Sequence, residues 1–263
     1  MKEHYDLDQE DQRLEGFSLE KYRTKSILDR FLPKSHSKIL DIGGATGIYA
    51  FPLSELGNEV HLVDPMENHI RVAIEKNKNC RSPLASIKVG DARELDFEDN
   101  VADAVLYLGP MYHLVKKDER LKALQEAFRV LKPKGIFISA YISRFTSFID
   151  GLRSGYIEDP EFRTIILKDL ETSHHTNPSN KPGYFTEAFF DHPMNAKSEV
   201  ESVGFLDPEL IAVEGPIWMT EKCKHYFSID ETREHILRFL EKIEKEECIV
   251  GASSHFFIIA KKG

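Results

Sequence analysis

Between Lys38 and Tyr141, short runs of β-branched and other apolar residues alternate with amphipathic stretches of helical period. This is the pattern of a parallel sheet wound by crossover helices. The runs predict strands over Lys38–Ile42, Glu59–Val63, Leu84–Val89, Ala102–Leu108 and Ile136–Ile142. Between the last two, Leu121, Leu124, Phe128 and Leu131 recur at helical spacing, with Asp118 as a cap and Pro133 and Gly135 as the stop. A further strand is expected over Gly204–Val213, a charged helix over Asp230–Glu247 and a last apolar strand over Ser254–Ala260.

After Tyr141 the pattern lapses, and Gly151, Gly155, Pro160, Pro178, Pro182 and Gly183 punctuate short segments. A structureless loop of that length is uncommon inside a domain unless it has a task. Residues 143–191 are therefore expected to form a lid or cap with some helix of its own. The chain divides into an N-terminal helical cover (1–35), an α/β domain (36–142 and 192–263) and the lid inserted after the fifth strand. The expected fold class is α/β, a doubly wound and mostly parallel sheet.

Composition narrows the function. The 263 residues carry 35 Lys and Arg against 44 Asp and Glu, a formal charge of −9. A protein that grips a phosphate backbone needs a basic face, and neither residues 1–30 nor 143–191 offer one, which disfavours nucleic acid as a partner. The longest apolar runs, such as Phe256–Ala260, are far too short for a membrane span, and the opening MKEHYDLDQEDQ is acidic where an export signal is basic. Cys80, Cys223 and Cys248 are odd in number and widely spaced, which fits neither a disulfide framework nor a CxxC clamp. A soluble protein of the reducing cytoplasm is expected.

The first strand runs into ILDIGGATGIYA, and a helical pattern begins at once. Gly43, Gly44 and Gly47 let backbone amides approach a ligand, and the helix that follows directs its unsatisfied N–H groups at the same place. The spacing differs from the dinucleotide G-x-G-x-x-G, which argues against a nicotinamide cofactor. Asp41, inside the turn, would repel a pyrophosphate but suits a ligand bearing an ammonium or sulfonium group. The second strand ends at Asp64, where a carboxylate can accept from both hydroxyls of a ribose. The third ends in VGDARELDF, which puts Asp91 on the same edge; there it can accept from an adenine amine while the backbone N–H of Ala92 faces the ring. Three acids at successive strand ends and one glycine turn describe a site for adenosine joined to a cation.

On ILDIGGATG, Asp64 after VHLV, GDAREL, ADAVLYLGPMYHL and FRVLKPKGIFISAY, the chain resembles the class I S-adenosylmethionine-dependent methyltransferases. The resemblance covers most of residues 38–142 and, more loosely, the last two strands. It implies that the final strand is antiparallel, that Gly43, Gly44 and Gly47 wrap the methionine part, and that Asp64 holds the ribose. It further implies that Asp91 and Ala92 hold the adenine, that Met66 packs on its face, and that the Leu108 backbone lies beside the sulfonium. Two departures stand out: Ala45 replaces a frequent glycine, and Pro52 is expected to kink the following helix.

The acceptor is expected to be a small molecule enclosed by the lid, whose aromatic residues include Phe145, Tyr156, Tyr184 and Phe185. Should it have to lose a proton, His113 in GPMYHL is the leading base, with His174, His175 and His192 behind it. These histidines lack metal-ligand spacing, so no metal is expected. Arg23, in EKYRTKSIL, is a candidate partner for the cofactor's carboxylate. The alternatives are methylation of RNA or protein, and a cofactor-binding protein without transfer activity. Oligomeric state is not written in the sequence.

Overall fold

The computed structural model describes residues 19–263. Of the expected N-terminal cover, residues 1–18 lie outside the described residues, and the helix Leu19–Phe31 lies within them. The strands are β1 (Lys38–Ile42), β2 (Glu59–Asp64), β3 (Ser86–Val89), β4 (Ala102–Tyr107), β5 (Leu131–Ser143), β6 (His174–His175), β7 (Ala188–Asp191), β8 (Phe205–Ala212) and β9 (His255–Lys262).

Among the described residues they form one sheet in the order β3-β2-β1-β4-β5-β7-β6, with β9 on β5 and β8 on β9. β1 pairs in parallel with β2 and β4, β2 with β3, and β4 with β5, so the chain reverses its direction of winding between β1 and β4. β9 runs antiparallel to both β5 and β8. This is the architecture of the class I methyltransferase fold, with the antiparallel final strand that the resemblance implied.

Alternation along the strands produces two cores, one per face. Leu40, Ile42, Val105, Tyr107 and Phe137 pack on one side. Ile39, Leu62, Ala104, Leu106 and Ile138 pack on the other, where Ile27 and Leu28 of the first helix cover them. Burial on both faces is why these strands read as largely apolar runs.

Local details differ from the sequence reading. Pro52 is the third residue of a six-residue helix, Ala50–Glu55, in the first turn, where no N–H is needed for a bond within the helix, so the expected kink has no interior hydrogen bond to break. Asp118 lies within the first turn of the helix Lys117–Val130, and Lys116 occupies the cap position. β5 starts at Leu131, ahead of the expected Ile136, across a register shift against β4. The expected helix Asp230–Glu247 is two helices, Asp230–Ile243 and Glu247–Ala252.

Residues 143–191 contain the helices Thr146–Ser154 and Pro160–Thr172 with a short 3-10 turn at Tyr156–Glu158. Phe162, Ile165, Ile166 and Tyr184 give this segment a small core of its own. β7 then returns to the main sheet, pairing Phe190 with Ile142 and Asp191 with Ser143.

Candidate functional site

The carboxyl ends of β1, β2, β3 and β4 meet at a cavity of about 270 Å³. Its wall includes Gly43, Ala45, Asp64, Met66, Asp91, Ala92, Gly109, Tyr112 and His113. Opening a cleft at this edge is the general consequence of a winding reversal, because the loops leaving β1 and β4 turn to opposite faces of the sheet.

The glycine turn is held by packing as much as by freedom of approach. Gly43 has φ +71° and Gly47 +88°. A Cβ on Gly43 would lie 2.7 Å from Pro110 Cγ, and one on Gly44 would lie 2.5 Å from Asp41 Oδ2. Ala45 itself adopts φ +49°, a left-handed conformation that glycine would adopt without penalty. Gly43 and Ala45 face the cavity, whereas Gly44 and Gly47 form the turn behind it.

Beneath Gly44 lies Asp41, fully buried in β1 between Leu62 and Leu106. Neither carboxylate oxygen has a hydrogen-bond partner among the described residues. Burial, with the charge of Asp64 nearby, pushes its carboxyl up to about 7. A buried carboxylate without a donor asks for a cation or a water, and it touches the turn at which the cofactor's charged end is expected.

Asp64 is buried and already engaged. Its Oδ2 accepts from the Ala45 amide at 2.9 Å, and its Oδ1 accepts from the Met66 amide at 2.9 Å and meets His69 Nδ1 at 3.0 Å. Oδ1 thus accepts twice, and Oδ2 is the oxygen that keeps a lone pair for a further donor. Asp91 is bound by its neighbour: Arg93 donates to it from Nε at 2.9 Å, from Nη2 at 2.6 Å and from its amide at 2.8 Å. These bonds hold the Asp91 carboxyl below its ordinary range. Arg93 also reaches Glu119 at 3.1 Å, so the Asp91 end of the cavity carries a three-residue ion-pair chain that the sequence reading missed. Leu108 stands one residue before the cavity-lining Gly109, and its carbonyl accepts from Tyr112 Oη at 3.4 Å.

Arg23 goes elsewhere. Its guanidinium is buried on Glu244 at 2.5 Å and donates to the carbonyls of Val213 at 2.7 Å and Ala212 at 3.3 Å. Arg30 holds the other side of the same carboxylate at 2.6 Å. The expected pairing with the cofactor is therefore corrected: the arginine ties the first helix to β8 and to the end of the helix Asp230–Ile243. A helical pattern shows that a charge is present but not which carboxylate, 221 positions away, it will meet.

His113 lies at the end of the short helix Pro110–His113, in the cavity wall, with its ring 4.7 Å from that of Tyr112 and stacked on Phe185 at 6.2 Å. His192 caps the helix Pro193–Ser202, where its side chain accepts from Met194 N, and His174 pairs with Glu187 at the surface. Glu20, Glu214 and His255 each bring one ligand-type atom within 4.8 Å of the others, a juxtaposition that no local spacing announces.

A second cavity of about 650 Å³ opens behind Tyr112. It is walled by Ile142, Ser147, Phe162, His175, Phe185, Phe190, Trp218 and His255. Tyr112 belongs to both cavities.

Sheet order and the glycine turn together define a Rossmann-like domain. Comparison with known proteins carries this to a family. Residues 39–135 match the methyltransferase domain family. Over 108 residues the chain is 32% identical to an uncharacterized methyltransferase of Mycobacterium tuberculosis, covering 41% of each protein. Over 107 residues it is 36% identical to the ubiquinone/menaquinone biosynthesis C-methyltransferase of Pasteurella multocida, covering 39% of this chain and 38% of that one. The chain thus spans about two fifths of the length of these relatives. In fold it is similar to an S-adenosylmethionine-dependent methyltransferase of Methanosarcina mazei, with a TM-score of 0.59 at 17% identity over 90% of this chain and 96% of that one. The α/β domain has the class I methyltransferase fold.

Proposed function

We infer that the protein is an S-adenosylmethionine-dependent methyltransferase whose acceptor is a small molecule. The carrying observation is Asp41: a buried carboxylate without a hydrogen-bond partner among the described residues, set beneath the glycine turn of a cavity whose wall includes Asp64, Met66, Asp91 and Ala92. When bound, S-adenosylmethionine supplies a methyl group on a sulfonium sulfur. Asp41 offers negative charge to the cationic end, Asp64 accepts from the ribose, and Met66 and Ala92 flank the base while Asp91, shared with Arg93, accepts from its amine. The backbone at Leu108 and Gly109 borders the reacting end.

The acceptor occupies the second cavity, with residues 143–191 as its lid. Displacement at the methyl carbon depends chiefly on alignment, so the wall residues contribute by fixing the acceptor's angle. His113 takes a proton from the acceptor where the accepting atom carries one. A small acceptor is supported by the acidic lid and by the aromatic lining; the three free cysteines suit a reducing cytoplasm. Among the described residues no helix is long and apolar enough to cross a membrane.

Calorimetry with S-adenosylmethionine, S-adenosylhomocysteine and NAD tests the cofactor, with binding expected for the first two only. Transfer of labelled methyl from S-adenosylmethionine into small-molecule and macromolecular fractions of a cell extract tests the acceptor. Label in the small-molecule fraction is expected, and His113→Ala should lower it about 10²- to 10⁴-fold with little change in cofactor affinity. Label confined to RNA or protein would overturn the acceptor class; cofactor binding with no transfer to any fraction would make this a binding protein.

A further inference from the structure

The lid carries a hydrogen-bonded carboxylate–imidazole pair that the reading above leaves without a task. Asp169, on the helix Pro160–Thr172, is wholly buried, and its Oδ2 meets His175 Nδ1 at 2.8 Å. Ser147, on the preceding helix, donates to the same oxygen. The His175 ring is only 2% exposed, stacked on Phe190 at 4.3 Å with Phe185 at its edge at 6.2 Å. With Asp169 Oδ2 as the acceptor, Nδ1 is the donor of this bond, and the neutral tautomer that makes it has its lone pair on Nε2. That Nε2 is buried and has no hydrogen-bond partner among the described residues. The side chain lines the second cavity. Buried acceptors are ordinarily satisfied, and this one belongs to a residue in the wall of the cavity that shares Tyr112 with the first.

We propose that His175 is the recognition residue for the methyl acceptor, and that the acceptor presents an O–H or N–H to Nε2 while its apolar or aromatic body lies against Phe185 and Phe190. Asp169 is the positioning residue: it fixes the tautomer and the ring plane, as second partners of imidazoles do elsewhere. The pair selects for a hydrogen-bond donor, because a molecule of the same shape without one leaves Nε2 unsatisfied. The identity of the guest as a methyl acceptor rests on the function proposed above; the donor-selective subsite does not.

Long-range 1H–15N spectra of the histidine rings test it, with His175→Gln assigning the resonance and phenol and anisole as probes. Nδ1 is expected protonated and Nε2 bare in the free protein. Phenol should shift the Nε2 resonance and bind at least ~10-fold more tightly than anisole. Asp169→Asn, which replaces the acceptor at Nδ1 with an amide, should erase that preference in a folded protein. A protonated Nε2 in the free wild type, or equal responses to phenol and anisole, overturns the proposal. The measurement uses no cofactor, so failure of S-adenosylmethionine to bind would remove the methyltransferase reading and leave the subsite standing.

Discussion

Asp64 and Ala45, 19 positions apart in the chain, are joined by a hydrogen bond of 2.9 Å from the Ala45 amide to Asp64 Oδ2. The carboxylate at the end of the second strand thereby fixes the turn at the end of the first, so the turn geometry and the ribose contact proposed above depend on one side chain.

Asp64→Ala is accordingly expected to fail twice. Loss of charge-assisted bonds to the ribose should weaken S-adenosylmethionine binding by about 1.5–3 kcal/mol, and unpaired amides at Ala45 and Met66 should cost about 1–3 kcal/mol of stability. Calorimetry and thermal unfolding separate the two. Full affinity in the folded variant would make Asp64 a structural residue alone.

Gly43→Ala places a methyl group 2.7 Å from Pro110 Cγ at a φ of +71°. A left-handed alanine alone costs about 1–2 kcal/mol, and the contact adds to it. Ala45→Gly, at φ +49°, relieves the same strain and is expected to leave thermal stability unchanged or higher. Equal melting temperatures for Gly43→Ala and wild type would show that the turn tolerates a side chain.

Asp41 links stability to pH. Its carboxyl stands near 7 in the folded protein against an ordinary 3.8, so between those values the folded state holds a proton that the unfolded state has released. Stability from this group is present below the lower value and is lost as pH rises through the upper one. Asp41→Asn should flatten the decline, leaving the share due to Asp191, which burial, with Glu199 nearby, likewise raises to about 7. A cationic ligand favours the ionised form, so S-adenosylmethionine should release a proton on binding near neutrality in the wild type and not in Asp41→Asn. Calorimetry in buffers of different ionisation enthalpy reads this directly; identical proton release in both proteins would dissociate Asp41 from the ligand.

Arg23→Ala strands the buried Glu244 on one side and is expected to cost about 3–5 kcal/mol, while cofactor affinity stays within about twofold. Denaturant unfolding and calorimetry decide. A large loss of affinity at unchanged stability would return Arg23 to the cofactor.

β1, β2, β4 and β5 were legible because burial on both faces writes largely apolar runs, and Asp64 and Asp91 because each stands beside a proline or glycine that closes its strand. β6 and β7 were not: His174–His175 is two residues long, and AFFD at 188–191 is too short for alternation to declare itself. Arg23 was misplaced, and the Arg93 bridge overlooked, for a shared reason: composition shows a charge, but only the fold selects its partner. His175 was visible as half of an adjacent pair, yet nothing local distinguished it from His174. What separates them is the pairing of β6 with β7, which leaves one ring at the surface and buries the other against Asp169.

The ring of Tyr112 stands as a partition between two chambers. A guest on one side that moves this ring redraws the room on the other, and thermodynamic linkage makes the influence mutual: the factor by which the first guest alters the hold on the second equals the factor by which the second alters the hold on the first. A molecule that leaves Tyr112 in place carries no message through it, however tightly it binds.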